Sequence, residues 1–337
     1  MIKVGVIGFG YWGPNIARNF DENQDLKLVG IAELGEQRRA VARAKYPNVP
    51  LYNDSKSLLR ESGIDAVAII TPVSTHFELA KEALEAGKHV LIEKPMTSSV
   101  AEAEELLNLA AQKNLTLMVD HTFVYSAAVQ KIKETLDANG LGDLYYFDSV
   151  RINLGLFQQD VNVVWDLAPH DISIMQHLLN SKKVKSVFAH GASHTPSGIE
   201  NIAYVTINFD NDLLAHFHVN WLAPMKIRRI LIGGTEKMLV FDDVQPSEKI
   251  KIYDKGITIK NGQKESLYKT LIQYRIGDVQ VPNIPNTEAL KTETRHFVEC
   301  LSNGKKSDSD GEAGLYVVRI LEAAQKSLDK GGIKIKI

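Results

Sequence analysis

Between Lys3 and Asp120, short β-branched apolar runs alternate with amphipathic stretches, and this alternation constrains the fold more than any other feature of the chain. The runs KVGVIG, LKLVGIAE, AVAIIT, KHVLIEK and LTLMVD are separated by helical patterns at Pro14–Phe20, Gln37–Tyr46, Ser74–Ala86 and Ser99–Lys113. βαβ units read this way, and strands so continuously apolar are buried on both faces. The expectation is an α/β fold, a doubly wound parallel sheet. Beyond residue 122 the runs lengthen and alternate (LYYFDSVRINLG, IAYVTINFD, LLAHFHVNWLA, RRILIGG), which predicts an open, mostly antiparallel sheet. One helix is predicted within it at Asp166–Leu179, and two close the chain at Thr287–Leu301 and Gly311–Leu328. Lys255–Pro285, rich in Gly, Pro and isolated charges, is assigned to loops and an edge strand. A length of 337 residues exceeds what one core usually serves, and the predicted division is 1–121 and 122–337.

Lys plus Arg number 39 against 41 for Asp plus Glu, a balance with no field for gathering nucleic acid or an anionic membrane, so a small-molecule partner is expected. Cys300 is the only cysteine, which excludes an internal disulfide and a Cys-based zinc site. With no basic-then-apolar leader before the strand at Ile2, and no apolar run of roughly 18 residues, the expected location is the cytoplasm.

Gly8, Gly10 and Gly13 form G-x-G-x-x-G directly after the first apolar run and at the mouth of a helix. In that context the glycines serve a tight turn, close approach of backbone to a pyrophosphate, and close helix–strand packing, while the helix start supplies free N–H groups. Glu33 ends the second run 20 residues beyond Gly13, where a carboxylate can accept bonds from ribose hydroxyls and repels a 2′-phosphate. The predicted cofactor is NAD rather than NADP. Arg38 and Arg39 follow closely and pull the other way, because a guanidinium can receive a phosphate.

Glu93-Lys94-Pro95 ends a strand at the carboxyl edge of the sheet, where ligands of doubly wound folds collect. By composition alone Lys94 reads better as a surface lysine in a βα loop. Asp166 and His170 share one face of a helix at i, i+4, although Asp166 also reads as an N-cap with Pro169 in the first turn, and His170 as a packed helix residue.

Taken together, VGVIGFGYWG, TPVSTH at Thr71–His76, GKHVLIEKP, the D-x-x-x-H of Asp166 and His170, and IGGTEKMLVFDD make the chain resemble the Gfo/Idh/MocA family of oxidoreductases along its whole length. The resemblance implies a nucleotide-binding domain followed by an α/β domain whose open sheets pair in homodimers or homotetramers. It implies Lys94, Asp166 and His170 as the catalytic set. It also puts Tyr11, Trp12, Arg38, Thr71, Pro72, His76, Glu93, Lys94 and His121 with the glycines and Glu33 at the cofactor; many relatives carry asparagine or another polar residue where this chain has His121.

Oxidising a secondary alcohol needs a base for the hydroxyl proton, and histidine is poised for it near neutrality. His170 is read as that base, its neutral form favoured by a place in a helix's first turns. Asp166 is read as orienting the substrate or sustaining the imidazolium, and Lys94 as stabilising the developing alkoxide. No metal is expected: His216, His218 and Asn220 alternate on one strand, and His190 lies near His194, but no third ligand or carboxylate is in register.

Tyr125, Arg151, Asn153, Phe157, Asn201 and Trp221 are the expected pocket walls, aromatic and amide groups that suit a sugar. Arg151, Lys226, Arg228 and Arg229 read either as a diphosphate site or as a solvated sheet edge. DVNVVWDLAPHDISIM and NLGLFQQD resemble relatives that oxidise C3 of nucleotide-linked amino sugars such as UDP-N-acetylglucosamine. Free-sugar or inositol dehydrogenases, NAD-dependent glycosidases of the same fold, and NAD-sensing binding proteins are the alternatives.

Overall fold

The computed structural model describes residues 1–61, 63–155, 160–179, 182–260 and 271–337. They form two compact units, one of Met1–Ser126 with Thr287–Glu322, the other of Ala127–Asn286 with Ala323–Ile337.

The first unit opens with β1 (Ile2–Ile7), α1 (Gly13–Glu22), β2 (Leu26–Ala32), α2 (Glu36–Lys45), β3 (Leu51–Tyr52), α3 (Ser55–Leu59) and β4 (Ala66–Ile69). It continues with α4 (His76–Glu85), β5 (His89–Glu93), α5 (Val100–Gln112), β6 (Leu117–Asp120) and a 3-10 turn at Thr122–Tyr125. All neighbours in the sheet β3-β2-β1-β4-β5-β6 are parallel. The order reverses between β1 and β4, the switch point at which doubly wound sheets bind ligands. The expected strands and helices are present; β3 and α3, too short to show a period, are additions.

In the second unit α6 (Ala127–Asp137) leads into β7 (Leu144–Leu154), α7 (Val163–Leu179), β8 (Val184–Ala192), β9 (Ile202–Phe209) and β10 (Leu214–Asn220). Then follow β11 (Leu222–Gly234), β12 (Met238–Asp242), β13 (Ile250–Lys260) and β14 (Leu271–Gln280). β13 and β14 pair antiparallel, so the segment read as loops with an edge strand contributes two strands at a sheet end. Every described pairing is antiparallel except β7 with β10. Strand period two sorts the side chains: Phe147, Ser149, Arg151, Val205, Ile207, Phe217 and Val219 are buried on the face that carries α7, whereas Asp148, Tyr204, Thr206, His216 and His218 lie on the other face, partly exposed.

The chain closes with α8 (Ala289–Asn303), α9 (Gly311–Asp329) and β15 (Ile335–Lys336), which pairs with β8 at the edge of the second sheet. α8 belongs to the first unit: Leu290, Phe297 and Val298 join its core, and Phe297 stacks on Phe20 of α1 at 6.3 Å. Just before α9, the Ser309 carbonyl accepts from Val119 N–H at 2.8 Å and Asp310 bridges Met118, extending the sheet beyond β6. Among the described residues no helix is long and apolar enough to cross a membrane.

Candidate cofactor and catalytic residues

The glycine-rich turn has the shape its motif requires. Gly8 has φ +95°, and a Cβ there would stand 2.4 Å from the Ile70 carbonyl oxygen. A Cβ on Gly13 would stand 2.4 Å from the Gly8 oxygen, so helix and turn are in direct contact. At Gly10 a Cβ would meet only the Arg38 guanidinium, 3.7 Å away, leaving the backbone open to an approaching group. α1 begins with no side-chain cap and carries Pro14 in its first turn, which leaves its N-terminal donors for a ligand such as a pyrophosphate. Tyr11 is 90% exposed on this turn.

Glu33 is buried, and it ties the turn to the end of β2. Its carboxylate accepts Phe9 N–H at 2.7 Å and Gly35 N–H at 2.8 Å. Each carboxylate oxygen has a second lone pair, so these bonds leave capacity for ribose hydroxyls. Arg39 is committed to the carbonyls of Glu33 and Leu34, whereas the Arg38 side chain runs past Gly35 towards Gly10. Of the two arginines, Arg38 alone lies over the turn.

His76, 1% exposed, stands between two motifs: Nε2 is 2.8 Å from the Thr71 carbonyl and Nδ1 2.9 Å from that of Pro95. Burial lowers its pKa, and a neutral ring donates to only one of these carbonyls. It thus braces the Thr71-Pro72 loop against the loop after Lys94; the Lys94–Pro95 peptide is cis. Thr75 Oγ1 bonds Thr71 Oγ1 and the Pro72 carbonyl, both at 2.8 Å.

At the carboxyl end of β6 the structure assembles polar groups that no motif announces. Trp12 of the glycine turn donates through Nε1 to Asp120 Oδ2 at 2.7 Å, and Thr122 Oγ1 donates to Asp120 Oδ1 at 2.5 Å. His121, beside Asp120, is buried with neither ring nitrogen hydrogen-bonded; burial first and Lys94 second lower its pKa to about 3. Glu293 of α8 is wholly buried, its carboxyl makes no hydrogen bond of good geometry, and burial followed by the charge of Asp120 pushes its pKa well up. Asp120 and Glu293 are 173 residues apart in sequence, which is why only the fold reveals the cluster.

In the second unit, Asn162 caps α7, its Oδ1 accepting from Val164 and Trp165 N–H at 3.1 and 3.2 Å. The helix therefore starts at Val163 rather than Asp166, which corrects two expectations. Pro169 is inside the helix, not in its first turn, and Asp166 is not the cap. His170 consequently lies beyond the first turn, where a helix dipole has faded and no longer favours the neutral ring. Asp166 and His170 remain i, i+4 on one face, both partly buried.

Three expected wall residues are turned inward. Trp221, 1% exposed, donates from Nε1 to Asp166 Oδ2 at 2.8 Å. Arg151 makes a bidentate pair with Asp171, Nε–Oδ2 2.9 Å and Nη2–Oδ1 2.8 Å. Tyr125, 3% exposed in the first unit, sets its hydroxyl 3.2 and 2.9 Å from Ser307 and Ser309. Asn201 is also buried and meets His194 Nδ1 at 2.8 Å. Asn153 is partly buried near the end of β7, Lys226 is exposed, and Phe157 lies outside the described residues. Arg228 and Arg229 pair with Asp243 and Asp242. His216 bonds Thr206 at 3.0 Å, His218 stacks on Tyr204 at 4.5 Å, and among the described residues no three His, Cys, Asp or Glu gather as a metal site.

Comparison with known proteins identifies the family. Residues 2–121 match the Gfo/Idh/MocA oxidoreductase family, NAD-binding Rossmann fold, and residues 133–337 match that family's C-terminal alpha/beta domain. The chain is 28% identical to UDP-N-acetylglucosamine 3-dehydrogenase of Acidithiobacillus ferrooxidans, over 96% of this chain and 95% of that one. It is 23% identical to myo-inositol 2-dehydrogenase of Thermotoga maritima, over 99% of each. A solved structure of the Acidithiobacillus enzyme superposes with a TM-score of 0.80 at 25% identity, covering 98% of both chains. The chain belongs to the Gfo/Idh/MocA family of oxidoreductases and is an enzyme of the dehydrogenase class, built on an NAD-binding Rossmann fold.

Proposed function

We propose that this enzyme oxidises a secondary alcohol of a nucleotide-linked sugar, C3 of a UDP-N-acetylglucosamine-like substrate, with NAD as the oxidant. The observation that carries the reading is the likeness in sequence and fold to UDP-N-acetylglucosamine 3-dehydrogenase over nearly the whole of both chains. NAD is preferred to NADP because Glu33 closes the ribose end of the turn with a carboxylate.

Bound NAD would supply the hydride acceptor; the remaining steps fall to side chains. A ring nitrogen of His170 takes the hydroxyl proton, the Nζ of Lys94 donates a hydrogen bond to the same oxygen as negative charge develops on it, and Asp166 orients the substrate and sustains the imidazolium. Gly8, Gly10, Gly13 and Trp12 would hold the pyrophosphate end, Glu33 and Arg38 the adenosine end, and Thr71, Pro72, Glu93 and His121 the nicotinamide end. His76 serves by bracing two of these loops. Residues 1–121 are the cofactor part and 122–337 the substrate part. The partly exposed sheet face bearing Tyr204, His216 and His218 is the surface through which copies of the chain would pair, and the lone buried Cys300 suits work in the cytoplasm.

The test is a panel of UDP- and dTDP-sugars, free hexoses and inositols, read by reduced-nicotinamide absorbance and product mass, with a keto acid acceptor to recycle retained cofactor. A UDP-amino sugar is expected to turn over fastest and to give a 3-keto product. Faster oxidation of inositol or a free sugar would replace the substrate assignment, and release of a monosaccharide without lasting reduced nicotinamide would identify a glycosidase. Glu33→Ala should weaken NAD binding about tenfold and erase its advantage over NADP in a cofactor titration. Equal affinities in the native enzyme would remove the NAD preference.

A further inference from the structure

Trp221 lies in the single-residue gap between β10 and β11, and everything about its setting makes the indole rigid. Its N–H donates to the Asn201 carbonyl and its carbonyl accepts from Gly155 N–H, each at 3.0 Å. The ring is packed so closely on Gly155 that a Cβ there would stand 2.6 Å from the indole Cδ1. The indole N–H donates to Asp166 Oδ2 at 2.8 Å. Asp166 is not engaged as the cap of α7, since Asn162 performs that task. The helix itself is held by the Arg151–Asp171 pair one residue past His170.

A carboxylate on a helix has a soft terminal torsion, which leaves its two oxygens free to rotate unless a fixed donor holds one of them. An indole N–H is such a donor: it can only donate, it bonds an ionised carboxylate more strongly than a neutral one, and here its ring cannot swing away. Catalytic groups tolerate displacements of well under about 1 Å before rate suffers, so the residues that fix them contribute to rate without touching substrate. We infer that Trp221 is a positioning residue for the reaction, holding the Asp166 carboxylate in one orientation so that Asp166 and His170 act as a pair. The inference rests on the catalytic roles proposed for those two residues. It also replaces the sequence-based expectation of Trp221 as a sugar-stacking wall.

Trp221→Phe keeps an aromatic ring and removes only the donor. With NAD and UDP-N-acetylglucosamine, and with unfolding curves confirming folded protein, Trp221→Phe should lower kcat about tenfold while KM for sugar and cofactor stays within about twofold. The Trp221→Phe/Asp166→Asn double variant should be no slower than Asp166→Asn alone, because Trp221 acts through the Asp166 carboxylate that Asp166→Asn removes. Losses that multiply, or native kcat in Trp221→Phe beside an impaired Asp166→Asn, would overturn the inference. Native turnover in Asp166→Asn would instead overturn the proposed role of Asp166, on which the inference rests. A readout independent of any substrate is the indole N–H resonance of Trp221 in 15N-tryptophan-labelled protein, assigned by its loss in Trp221→Phe. It should move in Asp166→Asn while that of Trp12 stays in place; an unmoved Trp221 resonance refutes the bond whichever sugar is turned over.

Discussion

The two compact units handle buried charge in opposite ways. In the first, two titratable groups beside the hydrogen-bonded Asp120 are buried without hydrogen bonds of good geometry and driven neutral: His121 down to about 3, Glu293 well up, each chiefly by desolvation. In the second, charge is kept and paired, as in Arg151 and Asp171, whose side chains are 3% and 4% exposed yet meet through two hydrogen bonds. A neutralised group costs stability at the pH where it would otherwise ionise. A paired group costs stability when its partner is removed. The contrast predicts that the first unit is sensitive to pH and the second to truncation.

Truncation in the second unit should give the largest effect. Arg151→Met leaves the Asp171 carboxylate buried and unpaired, at a cost of about 3–5 kcal/mol in denaturant unfolding, and adding Asp171→Leu should recover much of it. A loss below about 1 kcal/mol would break the contrast. With the catalytic roles proposed above, Lys94→Ala and His170→Ala should each reduce turnover about a hundredfold or more with NAD affinity within a few-fold of native. Full turnover in a folded His170→Ala protein would point to Lys94 as the base.

The pH prediction sharpens the other side. His121 has a folded pKa near 3, below its ordinary value of 6.5, so its contribution is fully present above pH 6.5 and is lost as pH falls towards 3, at up to about 1.4 kcal/mol per pH unit. His121→Asn should flatten that part of the stability-versus-pH curve; an unchanged slope would assign the acid sensitivity elsewhere. Glu293 has the opposite sign. Its folded pKa is raised, so the native state keeps a proton the unfolded chain gives up, and stability declines as pH rises above the ordinary carboxyl range towards the folded value. Glu293→Gln, permanently neutral, should lie within about 1 kcal/mol of native near the ordinary carboxyl pKa and gain on it as pH rises. A large loss at every pH would mean that the carboxyl is ionised and paired.

The cofactor turn was legible because its parts are contiguous: Gly8, Gly10 and Gly13 make one turn, and Glu33 ends the adjacent strand. α7 was legible in existence but not in its start, since Asn162 and Asp166 both carry cap signals and only the structure shows that Asn162 caps the helix. The expected walls are a different case. Tyr125, Arg151 and Trp221 are buried, and aromatic or guanidinium side chains serve a buried network as readily as a ligand. What distinguishes the two uses is the partner, and Ser309, Asp171 and Asp166 lie 184, 20 and 55 residues from them.

By itself the sequence determined the alternation of strands and helices, the glycine turn with its acidic partner, and the family, because periodicity and short motifs are local properties. Tertiary structure alone decided that α8 completes the core of the first unit, that Glu293 is buried near Asp120, and that Trp221 and Arg151 are committed to Asp166 and Asp171. Burial and partnership depend on segments far apart in the chain, and desolvation, which sets the state of each buried group, exists only once those segments have packed.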